Sequence, residues 1–163
     1  MRHRIRQKMF TLGDKFTIQD EDGQDRFFVE GQAFSFGDKL RVLDAAGTEQ
    51  AYIEQKLMSL MPRYRVYRDG ELFAEVLKEF TWFKKKFTLD VPGPNDYTIT
   101  GSFWDHEFTF ERGGRVIANV SKKIMSWTDS YCVDVIDGED DVAILSAVIV
   151  IDMVCSDERS GAV

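Results

Sequence analysis

The 163-residue chain is poor in cysteine, histidine and proline, with two, two and three of them respectively. Cys132 and Cys155 are too few for a disulfide framework and lack the paired spacing of a metal knuckle. His3 and His106 lie far in sequence from each other and from both thiols, which argues against a structural zinc site. Unpaired thiols fit a reducing, cytoplasmic compartment. Positive charge is also scarce. The 21 basic residues face 28 acidic ones, a formal charge of -7, and non-specific nucleic-acid binding needs basic excess. No apolar stretch reaches the about 20 residues of a membrane-spanning helix. The longest, Val142 to Cys155, has 14 residues. The basic start, Met1 to Lys8, meets Gly13, Asp14 and Lys15 instead of the apolar core of a secretory signal. No Gly-rich phosphate loop is present. The acidic clusters, Asp20-Glu21-Asp22 and Asp137 to Asp141, lack the spacing of a calcium-liganding loop, so turn and cap chemistry is expected of both.

What the chain has in quantity is apolar alternation broken by turns. Hydrophobic residues make up 44% and charged residues 30%, which excludes disorder. The length predicts a single domain over residues 1–163. Asp22-Gly23, Ala46-Gly47, Asp69-Gly70, Gly113-Gly114 and Asp137-Gly138 supply the positive φ that tight turns need. Their flanks read as strands: Phe16 to Gln19, Arg26 to Val29, Leu40 to Leu43, Ala51 to Ile53, Tyr64 to Tyr67, Leu72 to Leu77, Phe108 to Phe110 and Val116 to Val120. Arg2, Arg4, Arg6 and Lys8 recur at every second position, the pattern of a charged face on a solvated edge strand.

A repeat organises these strands. Tyr64 to Val91 aligns without a gap on Phe108 to Val135, with seven of 28 positions identical. The identities include Arg68 and Arg112, Gly70 and Gly114, and Lys78 and Lys122. The unit reads strand, turn, strand, linker, strand; Leu40 to Lys56 is a looser copy. Such hairpins predict a meander of about ten to twelve strands, closed so that no edge is left. A barrel of that size has a bore to fill, and Val142 to Cys155 is long enough to fill it. Seven β-branched residues in that run favour a strand. Its length, and Glu139-Asp140-Asp141 ahead of it, favour a capped helix. A helix is preferred, with the strand kept as the alternative.

Several segments, in this order and spacing, carry a family resemblance. They are Gln7 to Phe16, Gly31 to Leu40, Tyr64 to Tyr67, Lys78-Glu79-Phe80 with Phe83-Lys84, and Gly101 to Trp104. Ser121-Lys122-Lys123 with Trp127 to Tyr131, and Ile151-Asp152, complete the series. The chain resembles the LURP-one-related family of the tubby C-terminal-like superfamily, which includes the phospholipid scramblases. The resemblance implies a mainly β fold: a closed antiparallel β-barrel of about twelve strands around a central, C-terminal hydrophobic α-helix near residues 140–156. It implies no established enzyme activity. Tubby-like relatives bind phosphoinositides and scramblase relatives act on phospholipids. The Cys/Pro-rich extension usual in scramblases has no counterpart here, so lipid movement is not expected.

The candidate site residues are basic. Lys84, Lys85 and Lys86 follow Trp82-Phe83, and Lys122 and Lys123 follow the second copy's hairpin. Beside exposed aromatics they suit a lipid headgroup phosphate; the alternative is a solvated strand end. Ser102, Asp105 and His106 do not make a triad, because in a strand Asp105 faces away from the other two. Asp152, inside the apolar run, is expected near the barrel mouth, bonded to a backbone N–H or a lysine. The expectation is a non-enzymatic binding module without cofactor or metal. Its partner is anionic phospholipid or phosphoinositide headgroups, which would place it in the cytoplasm and at the membrane periphery. The alternative is a protein-protein interaction or scaffold domain with no lipid role; an enzyme with an unfamiliar site is the third reading.

Overall fold

Period-two burial marks the strands. The computed structural model describes residues 1–6, 15–32, 37–94, 96–122 and 130–161. It contains β1 (Arg2–Arg6), β2 (Lys15–Asp20), β3 (Asp25–Gly31), β4 (Lys39–Asp44), β5 (Glu49–Gln55) and β6 (Arg63–Arg68). There follow β7 (Glu71–Glu79), β8 (Lys86–Asp90), β9 (Tyr97–Ser102), β10 (Glu107–Arg112), β11 (Arg115–Ser121), β12 (Ser130–Val135) and α1 (Asp141–Ser160). Each strand pairs antiparallel with its chain neighbours, and β1 with β12, so the meander closes into a twelve-stranded barrel.

Closure corrects one expectation. β1 is not an edge strand: it pairs with β12 on one side and β2 on the other. Its outward Arg2 forks onto Asp134 of β12 at 2.5 and 3.1 Å. Of that alternating series, Arg2 and Arg4 therefore belong to the outer wall of a paired strand. Lys8, the last of that series, lies outside the described residues.

The hairpins share a construction. Four of them shift register two residues or more before the turn, at Ile18/Gln19, Val42/Leu43, Val66/Tyr67 and Phe110/Glu111. A bulge adds local twist and bends the strand, and repeating it helps curl the sheet. Asp69 and Gly70 both have positive φ, as do Gly113 and Gly114, the conformation of a two-residue turn that matches strand twist.

The bore holds α1, whose residues from Ala143 to Ile151 are all buried. At 1.5 Å per residue its 20 residues span roughly 30 Å. Around it stand Ile18, Val29, Val42, Ile53, Tyr64, Val66, Val76, Phe87, Leu89, Ile99, Phe110 and Val133. A helix that is apolar on every side is stable only when enclosed, and the wall supplies that enclosure. The strand alternative is thereby settled for helix.

The barrel has two unlike mouths. Tight turns and the start of α1 gather at one, the turn mouth. The longer connections gather at the other, the loop mouth, together with the end of α1.

Candidate functional site

At the turn mouth the polar groups hold the helix in place. Asp140 caps α1, accepting from the Ala143 N–H at 3.0 Å, and receives both Arg68 nitrogens at 2.6 and 2.5 Å. Burial alone raises the Asp140 pKa, but the bonds from Arg68 and the helix amides outweigh it and hold the carboxyl below its ordinary value. Arg112 donates to Glu139 at 2.5 Å and to the Tyr97 hydroxyl at 2.9 Å. Burial, then the Glu139 contact, pushes the Tyr97 phenol up to about 12. Arg68 and Arg112 are the repeat's matched arginines, so that identity serves the helix start. The acidic turns behave as expected: Asp20 Oδ1 accepts from the backbone N–H groups of Asp22 and Gln24. His3, isolated in sequence, is buried and bonded to Asp141 at 2.9 Å.

A second polar group lies inside, toward the loop mouth. Asp152 of α1 receives His106 Nε2 at 2.9 Å and the Tyr131 hydroxyl. The His106 and Tyr131 rings stack at 4.4 Å. Burial, then Asp152, pushes the Tyr131 phenol well up. Nδ1 of His106 is buried without a partner, which fits the tautomer with its proton on Nε2, donating to the carboxylate. Asp152 is therefore satisfied by an imidazole and a phenol, not by a backbone N–H or a lysine. The strand reading of His106 also fails: the residue sits in a turn with φ of 54°, because the chain must reverse between β9 and β10. That turn lets Ser102 donate to Asp105 at 2.5 Å, while His106 takes a different carboxylate. No Ser–His–Asp relay is assembled.

The loop mouth carries the exposed apolar surface. Met58 and Leu60 in the β5–β6 connection are fully exposed, and in the β7–β8 connection Phe80, Trp82 (84% exposed) and Phe83 (98%) stand out. The two connections adjoin, since the Lys78 N–H donates to the Pro62 carbonyl at 3.0 Å. Beside them lies an open groove of about 1000 Å³ lined by Trp82, Phe83, Lys84, Lys85, Phe103 and Trp104, among others. Its floor needs glycine: at Gly101 a Cβ would sit 2.4 Å from the Glu107 carbonyl oxygen.

The lysines divide here. Lys84 and Lys86 make no ion pair with any described residue, and both line the groove. Lys85 does pair, with Glu158 near the end of α1, and its ammonium lies 4.3 Å over the Trp104 ring. Lys122 is exposed at the same mouth, its backbone N–H held by Glu107 at 3.0 Å; it does not line the groove. Lys123 lies outside the described residues. Sequence reading missed Lys78, which points into the mouth and meets the other oxygen of Glu158. It also missed Met58, Leu60 and Trp104. The apolar Leu57 to Pro62 segment, which breaks strand alternation in a loop, was the available signal.

The sequence model of the LURP-one-related family matches residues 1–152. The chain belongs to the LURP-one-related family. Among its relatives, "Uncharacterized protein YxjI" of Bacillus subtilis (strain 168) is 41% identical over 151 residues, 92% of this chain and 91% of that one. Among solved structures, that of the Arabidopsis thaliana protein AT5G01750 superposes with a TM-score of 0.72, covering 94% of this chain and 90% of the other at 22% identity. At that identity the likeness concerns the fold, and it agrees with the barrel described above.

Proposed function

We propose that this LURP-one-related barrel is a non-enzymatic binding module that docks on anionic phospholipid surfaces through its loop mouth. The observation that carries the reading is the co-location of exposed Met58, Leu60, Phe80, Trp82 and Phe83 with Lys84 and Lys86; Lys122 stands elsewhere on the same rim, four strands round the barrel from Lys84 and Lys86. Bulky apolar tips beside lysines suit the interface of a negatively charged bilayer, where each lysine contributes about 1 kcal/mol. The net charge of -7 does not oppose this, because charge is polarised along the barrel. Asp20, Glu21, Asp22, Asp44, Asp69, Asp137 and Glu139 cluster at the turn mouth. A six-residue strand puts them roughly 20 Å away, beyond the about 8 Å screening length of physiological salt. The bore, where a barrel enzyme would hold its substrate, is filled by α1, which supports binding rather than catalysis. Two buried, free thiols suit a reducing, cytoplasmic setting.

Vesicle co-sedimentation tests the proposal. The protein should pellet with vesicles containing acidic phospholipid and stay in solution with purely neutral ones. The bound fraction should fall with salt, and Trp82→Ala with Phe83→Ala should reduce it at least about fivefold. A wild-type protein that ignores acidic vesicles at low salt refutes it. The same apolar mouth also suits a protein partner, the reading favoured by the acidic overall charge, and that null vesicle result would leave it standing.

A further inference from the structure

We propose that Lys78 and Lys85 form an anion seat that the chain fills with its own Glu158, and that a phosphate group displaces this carboxylate on binding. The inference rests on the docking reading above and specifies how that mouth is regulated. Lys78 lies opposite buried Phe87 across the β7–β8 ladder, so it projects into the mouth; Lys85 reaches in from the adjoining loop. Glu158 offers one oxygen to each ammonium, and burial is outweighed by these bonds, which hold its carboxyl below the ordinary range. Two ammonium groups on one carboxylate is the arrangement that a phosphate oxygen pair also fits, with more charge and more acceptors. The seat is only partly covered, with Lys85 at 34% and Glu158 at 29% side-chain exposure. It opens into the groove through Lys85 and Trp104. Glu158 stands in the last turn of α1, where a side-chain rotation frees the seat without moving the buried helix. A tethered carboxylate competes at millimolar effective concentration. It therefore turns away weak solution anions and yields to a phosphate held at a surface by additional contacts.

The test compares full-length wild type with Glu158→Gln, with Asp105→Asn as a charge-matched control at the same mouth, and with Glu158→Gln/Lys85→Gln. Thermal melts check that each variant is folded. Probes are vesicles containing acidic phospholipid, and separately inorganic phosphate and a soluble inositol polyphosphate. Glu158→Gln should tighten binding about fivefold or more, the scale of one or two part-exposed ion pairs. Asp105→Asn should change it less than about twofold, and adding Lys85→Gln should remove the gain. A gain on the soluble phosphates as well as vesicles assigns the seat to phosphate from either source; a gain on vesicles alone assigns it to the lipid headgroup. In wild type, NMR titration with the tighter probe should move the amides of residues 156–161. Where the wild type binds vesicles, equal gains for Glu158→Gln and Asp105→Asn, or no gain for Glu158→Gln, overturn the seat but leave docking intact. No binding of any probe by any variant overturns both.

Discussion

The contact that most directly tests the packing argument is the Tyr131–Asp152–His106 group. Tyr131 and His106 are 1% and 4% exposed, and both give their donor to the same carboxylate. Asp152→Leu leaves two buried donors without an acceptor, each costing about 1–3 kcal/mol. The loss is partly offset by relieving a carboxylate of desolvation and adding apolar area. With about 5–15 kcal/mol of total stability to draw on, the variant should still fold. Tyr131→Phe then acts with opposite signs in two backgrounds. In wild type it removes a satisfied hydroxyl and destabilises by about 1–2 kcal/mol. In Asp152→Leu it removes an orphan and stabilises by about as much. The coupling energy is therefore about 2–4 kcal/mol, and at this chain size the two effects differ by roughly 4–16 °C in Tm. Urea unfolding followed by far-UV circular dichroism, with melting curves as a second probe, measures all four proteins of the cycle. If Tyr131→Phe destabilises equally in both backgrounds, Tyr131 does not donate to Asp152 and the reasoning fails.

Val148, fully buried at the middle of the helix, should not tolerate Val148→Asp. An unpaired carboxyl costs about 2–7 kcal/mol there, in addition to about 1.5–3 kcal/mol of lost apolar burial, so no cooperative melt should remain; a soluble variant with the wild-type Tm contradicts the enclosed helix. Acid should weaken the ends of α1. Asp140 and Glu158 are held below their ordinary values of 3.8 and 4.5, so the stability they supply is complete above those values and lost as pH falls through the lowered ones. Calorimetry should show Tm dropping as pH falls below about 4.5, with a smaller drop in Asp140→Asn. Asp157, raised by burial and by Asp38, acts with the opposite sign, so a drop unaffected by Asp140→Asn would remove Asp140 from the account.

Strands, turns and the plug follow from local rules. A Gly at each tight turn, alternation on either side, and one apolar run with carboxylates ahead of it are short-range signals, and short-range physics reads them. The matched arginines of the repeat were visible as letters, while their purpose was not, because Asp140 and Glu139 lie at least 27 positions away along the chain. The same holds at the loop mouth. Lys84 to Lys86 were legible as a basic cluster, yet only the fold separates them: Lys85 meets a helix residue 73 positions on, and Lys84 and Lys86 do not.

Composition and periodicity thus pointed to a closed meander of about ten to twelve strands and to the burial of the last segment, since each signal depends on neighbours within a few residues. Closure decided the rest. It made β1 an interior strand, brought His3 to the first residue of α1 and His106 to Asp152 in its middle, and gathered the exposed aromatics and lysines of distant loops around one rim. Those pairings depend on which strand ends share a mouth, and that is set by the way the sheet closes around the helix.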